Sequence, residues 1–149
     1  MFDQTLWVLL LAAEGKPYPL FNASHSQQWR AVFSPDGKWI AYQSNESSKS
    51  DVYIVPFPDA TIKMQVSKLA GWNPRWSSDG RELYYLGDNK TIMAATLLPR
   101  KNGLQIVESR PLCKIKSPGF DVSQDGKRFL IYQMVEPRHV GRHSHYQLD

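Results

Sequence analysis

Three decapeptides decide how this chain folds: FSPDGKWIAY over 33–42, WSSDGRELYY over 76–85 and VSQDGKRFLI over 122–131. Each sets a Ser-x-Asp-Gly turn between an apolar residue and a stretch in which apolar and polar side chains alternate. A period of two marks a strand with one face buried. The Asp-Gly pair supplies the turn: Gly accepts the left-handed backbone that ends a type I turn with a bulge, and Asp accepts hydrogen bonds from nearby amides. Pro35 adds a fixed φ at the second turn position. Each motif therefore reads as two antiparallel strands. Phe33, Trp76 and Val122 end the first strand, and Ile40, Leu83 and Phe129 lie at matching places in the second. Asp36, Gly37, Asp79, Gly80, Asp125 and Gly126 are read as structural turn residues.

The turns recur at spacings of 43 and 46 residues, the length of one four-stranded propeller blade. A third strand is expected in each unit: TLWVLL from Thr5, DVYIVP from Asp51 and KTIMAA from Lys90. A weaker fourth is expected at 17–21, 63–66, and 104–107 with 112–114. The stretches AAEGKPY, FPDATIK and LPRKNGL are turn-rich and suit hairpin connections between them. No helix signal competes. The expected fold is all-β, an arc of about three four-stranded antiparallel blades. It divides into a half blade over 1–29, blades over 30–70 and 71–116, a half blade over 117–132, and a polar tail over 133–149 rich in His and Arg.

Composition agrees with a folded β domain: the chain of 149 residues is 42% apolar with five Trp and seven Tyr, side chains that suit half-buried pleated surfaces. The net charge of +4 is spread along the chain, so no nucleic-acid partner is expected. Cys113 stands alone, which rules out an intrachain disulfide, and is read as a buried thiol. The apolar run LWVLLLAA near the N-terminus follows a segment with Asp3 and no Lys or Arg. It reads as a strand rather than a secretory leader, and it is too short to span a bilayer as a helix.

The residues VFSPDGKWIAYQS with SDVYIVPFP, then PRWSSDGRELYYL, then FDVSQDGKRFLIY, resemble the TolB-like β-propeller repeat. The resemblance runs from Leu6 to Tyr132 and is closest to the C-terminal propeller of bacterial eukaryote-like serine/threonine kinases. It implies a non-catalytic module of bacterial signalling proteins that binds a protein, peptide or small ligand through its loop faces, on the extracytoplasmic or periplasmic side. The alternative implied by likeness is a propeller portion of a prolyl-oligopeptidase-like serine peptidase whose catalytic domain lies outside this chain. Propellers of this family are similar to closed rings of six or more blades, twice what is present here. The expectation is either a fragment of a longer protein or a homodimer in which two arcs close one ring.

Other constellations carry less. His139, His143 and His145, near Glu136 and Asp149, are residue types that suit zinc, copper or nickel, but Pro137 and Gly141 interrupt them and a solvated tail is expected. No G-x-S-x-G elbow occurs, and His25 falls in a polar loop, so no catalytic residue is expected. Gly71, Gly80 and Gly87 lack the spacing of a phosphate loop, and no cofactor is expected. Trp29 and Trp72 are read as lying in the linkers just before the innermost strands, where a propeller presents loops to its channel mouth. They are the expected ligand face.

Overall fold

The computed structural model describes residues 3–12, 15–22 and 25–137. It is all-β, with twelve strands among the described residues. They are β1 (Trp7–Val8), β2 (Tyr18–Pro19), β3 (Gln28–Phe33), β4 (Trp39–Ser44), β5 (Asp51–Pro56), β6 (Met64–Gln65), β7 (Trp72–Trp76), β8 (Glu82–Leu86), β9 (Thr91–Arg100), β10 (Gly103–Lys114), β11 (Phe120–Val122) and β12 (Phe129–Ile131). Strands β3 to β6 form one antiparallel four-stranded sheet in chain order and β7 to β10 a second; β1 pairs with β2 and β11 with β12. This is an arc of two full blades flanked by two half blades. The tail residues His139, His143, His145 and Asp149 lie outside the described residues.

The three Ser-x-Asp-Gly turns are built alike. Asp36, Asp79 and Asp125 accept the hydroxyls of Ser34, Ser77 and Ser123 at 2.6, 2.7 and 2.5 Å and the amides of Lys38, Arg81 and Lys127 at 3.0 Å each. The same serine oxygens accept the amides of Trp39 and Glu82, which start the next strand, and of Arg128, which directly precedes it. Gly37, Gly80 and Gly126 have φ of 72°, 72° and 69°, where a Cβ would be strained. These bonds hold all three carboxylates below the ordinary value of 3.8: the serine hydroxyl is the main cause at Asp36 and Asp125, the Arg81 amide at Asp79. A depressed native pKa contributes stability that is complete above the unfolded value of about 3.9 and disappears as pH falls through the native one. The urea midpoint should therefore fall as pH drops below about 4. Replacing all three Asp by Asn, which keeps an acceptor oxygen but cannot titrate, should make the midpoint less sensitive to acid.

Blades stack face to face because both faces of each sheet are apolar. Ala41, Val52, Ile54 and Val66 of the first blade meet Leu83, Tyr85, Ala95 and Leu97 of the second. The other face of the second blade, with Tyr84, Leu86, Ile92 and Ala94, receives Phe120, Val122 and Phe129 of the C-terminal half blade. The other face of the first, with Ile40, Tyr42, Tyr53 and Val55, is capped by Leu6, Leu20 and Phe21. Phe21 leans on Tyr42 at 5.3 Å between ring centroids. Strands β3, β7 and β11 lie side by side and form the inner edge of the arc.

Several expectations need correction. The first strand β1 is only Trp7–Val8, not the whole of TLWVLL, and it pairs with a β2 that is itself two residues long, Tyr18–Pro19. In the second blade the third strand starts at Thr91: Lys90 belongs to a short 3-10 turn over Asp88–Lys90, and Thr91 takes the place that Asp51 holds in the first blade. A shift of one residue exchanges the two faces of a strand, and this register turns Ile92 and Ala94 toward the C-terminal half blade and Met93 and Ala95 toward the first blade. The fourth strand of that blade is continuous over Gly103–Lys114, not two pieces, with bulges near Val107 and Leu112. The stretch LPRKNGL is mostly strand, since the β9–β10 hairpin reaches over to the first blade, where Leu97, Leu104 and Ile106 pack with Trp39 and Met64. Cys113 is exposed, not buried, because β10 is the outermost strand of its blade.

Candidate functional site

Trp29 and Trp72 do not lie in linkers. They stand at the start of the innermost strands, Trp29 opposite Gln43 and Trp72 opposite Leu86. Both are half-buried, and Trp72 packs against the core shared by the second blade and the C-terminal half blade. Immediately after each, the ladder breaks. Register shifts between Trp29 and Val32 and between Trp72 and Arg75 mark β-bulges at matching places in the two blades.

The bulges put Arg30 and Asn73 in the left-handed region, at φ of 53° and 55°. That region is uncommon for a side chain other than Gly, and bulges that enter it re-aim the side chain they carry. Arg30 is exposed, and one guanidinium nitrogen lies 3.4 Å from the Asn73 amide oxygen. Asn73 is buried and tied down further: its backbone amide donates to Gln43 Oε1 at 3.2 Å and its side-chain amide to the Phe120 carbonyl at 2.9 Å. One asparagine thus joins the first blade, the second blade and the C-terminal half blade at the inner edge of the arc.

Behind it runs a buried polar network at the same end of the sheets. Gln43 Nε2 donates to Ser50 Oγ at 2.9 Å, and Ser50 donates to the Gly71 carbonyl at 3.0 Å. Asp51, fully buried, accepts Ser67 Oγ at 2.7 Å and also Ser47 Oγ, while Ser67 accepts the Val52 amide at 2.9 Å. Lys49 reaches across to the Leu69 and Lys68 carbonyls. Buried polar groups in a satisfied network rigidify their surroundings. The loops on this end of the arc are therefore pinned to the sheets, and the Arg30 head projects from a fixed base.

The turn aspartates Asp36, Asp79 and Asp125 sit at the opposite ends of the inner strands. The tips of their turns border a shallow open depression lined by Phe33, Pro35, Trp76, Ser78, Ser123 and Gln124. Each carboxylate is engaged within its own turn. His25 is exposed in the loop between β2 and β3.

Arg30 and Asn73 were not singled out by the sequence. A bulge leaves no mark in a period-two pattern; the one available signal is that Arg30 and Asn73 stand 43 residues apart, directly after the two matching tryptophans. Compared with protein-family models the chain matches none, and no curated protein matches it either.

Proposed function

We propose that the chain is a non-catalytic recognition module, and that its ligand is a protein or peptide segment carrying a carboxylate, received at the inner end of β3 and β7 by Arg30 beside Trp29. The observation that carries this reading is the repeated left-handed bulge, which holds Arg30 on a rigid base with its guanidinium exposed. Among the described residues no carboxylate lies within ion-pair distance of it. A guanidinium is a planar fork of five donors that fits a carboxylate with two parallel bonds. Trp29 offers an amphipathic ring at the same place. The resemblance to sensor propellers of bacterial signalling proteins agrees with a binding role, and the backbone strain at Arg30 and Asn73 is of the kind that collects at recognition sites.

The test uses short synthetic peptides with free C-terminal carboxylates and acidic side chains, titrated against the full chain and followed by tryptophan fluorescence. Their amidated, neutral counterparts serve as controls. Arg30→Ala should weaken binding of the acidic peptides by about tenfold or more, a loss of order 1.4 kcal/mol or greater, with unchanged circular dichroism. Binding that is equal for wild type and Arg30→Ala, or equal for acidic and neutral peptides, would remove Arg30 from the site.

A further inference from the structure

Three aromatic rings stand in a row on the face of the first blade that is turned away from the second. Tyr42 of β4 and Tyr53 of β5 lie opposite each other in the ladder and stack at 5.8 Å between centroids. Phe21, just after β2, leans on Tyr42 at 5.3 Å. The Lys63 ammonium lies beside this row, 5.5 Å from the Phe21 centroid and 5.7 Å from that of Tyr53. It also donates to Glu46 Oε2 at 2.6 Å. Ring faces within about 6 Å and a carboxylate in hydrogen-bond contact are the two attractions that an ammonium answers to.

We propose that Phe21, Tyr53 and Glu46 form a binding site for a primary alkylammonium group, and that Lys63 is an internal occupant which a ligand displaces. The class of ligand follows from the contacts. A quaternary ammonium would keep the ring faces but could not donate to Glu46, so the 2.6 Å hydrogen bond selects an amine that carries N–H. A straight alkyl stem fits the approach, since the stem of Lys63 already takes it.

Receptor and occupant are held differently. Tyr42 and Tyr53 are buried, so the sheet fixes their rings. Glu46 sits in the β4–β5 turn, where its amide donates to Ser44 Oγ at 3.2 Å and the neighbouring Ser47 hydroxyl donates to the buried Asp51. Its charge also acts inward: burial first, and then the Glu46 carboxylate, push the Tyr42 hydroxyl above its ordinary range. Lys63 arrives instead from the connection before β6, next to the exposed Thr61 and Ile62, on a flexible four-carbon stem. Its side chain keeps 37% of its surface in water and that of Glu46 25%. An ion pair this open to water holds weakly, so the ammonium leaves while the rings and the carboxylate stay in place. Among the described residues no other cation lies within ion-pair distance of Glu46, so release of Lys63 leaves its charge for a ligand to answer.

Lys63→Ala in the full chain vacates the site, and its circular dichroism should be unchanged because Lys63 is exposed. Butylammonium, followed by the amide NMR signals of Glu46 and Tyr53, should bind this variant about tenfold more tightly than wild type, as removal of an occupant present about nine-tenths of the time requires. Adding Phe21→Leu, which keeps an apolar side chain without the ring face, should weaken that binding about threefold, and adding Glu46→Gln about tenfold. A capped lysine, with acetyl and amide ends, that binds more tightly than butylammonium identifies a peptide lysine as the source of the amine; equal or weaker binding identifies a free amine. Unmoved signals, equal constants for wild type and Lys63→Ala, or equal binding of neutral butanol would overturn the site. So would indifference to Phe21→Leu and Glu46→Gln, or loss of the native circular dichroism in Lys63→Ala, which would make Lys63 a structural clamp. Tetramethylammonium binding more tightly than butylammonium would overturn the primary-amine class.

Discussion

Leu83→Ala should cost about 3–4 kcal/mol of folding stability, read as a lower urea midpoint at fixed protein concentration. Leu83 is fully buried on the second blade and points into the layer shared with Ala41, Val52, Ile54 and Val66 of the first. Removing three carbons from a layer held on both sides by sheets leaves a cavity that backbone hydrogen bonding prevents from collapsing, so the value belongs in the upper part of the range for such substitutions. The slope of the transition is informative as well. An unchanged slope means that the blades still unfold together; a smaller slope means that this layer alone joins them, and that weakening it lets one blade open before the other. Leu130→Ala, at a position exposed in the single chain, makes the comparison: by itself it should change the stability of an isolated arc by less than about 0.5 kcal/mol.

The second large effect is expected at Gly71, which precedes Trp72. A Cβ there would stand 2.6 Å from Ser67 Cβ, 2.7 Å from Ser67 Oγ and 3.0 Å from Val52 Cγ2. Ser67 cannot step aside, because its hydroxyl donates to the buried Asp51 carboxylate and accepts the Val52 amide. Gly71→Ala must therefore either break those bonds or push the loop away from the sheet, and about 2–4 kcal/mol is the expected loss. Gly37→Ala separates this steric effect from backbone conformation. Nothing lies within 4 Å of a Cβ at Gly37, but its φ is 72°, so it should lose only about 1 kcal/mol from the left-handed backbone. Equal losses for the two variants would mean that the loop around Gly71 relaxes freely. The network from Asp51 to Gln43 would then not be the rigid base assigned to Arg30.

Local chemistry is what the sequence determined by itself. The hairpins around Asp36, Asp79 and Asp125 follow from Ser-x-Asp-Gly turns whose hydrogen bonds stay within six residues, and the blade count follows from their spacing. The β-branched and aromatic content of WIAYQS and ELYYL placed strands β4 and β8, but both are buried on both faces, not on the one face that a period of two implies. The tertiary structure decided everything that depends on which neighbour a face meets. Leu97, Leu104 and Ile106 extended β9 and β10 beyond their turn-rich composition because Trp39 and Met64 of another blade stood ready to cover them. Thr91 rather than Lys90 opened β9 because the apolar set Ile92 and Ala94 had to meet Phe120 and Phe129. Trp72 became core, and the bulges after Trp29 and Trp72 turned Arg30 and Asn73 into left-handed backbone at the inner edge. The physical reason is common to these cases: a strand's own residues record that it is extended and apolar, whereas the neighbour each face meets, its bulges and its final length are set by side chains far away in the chain.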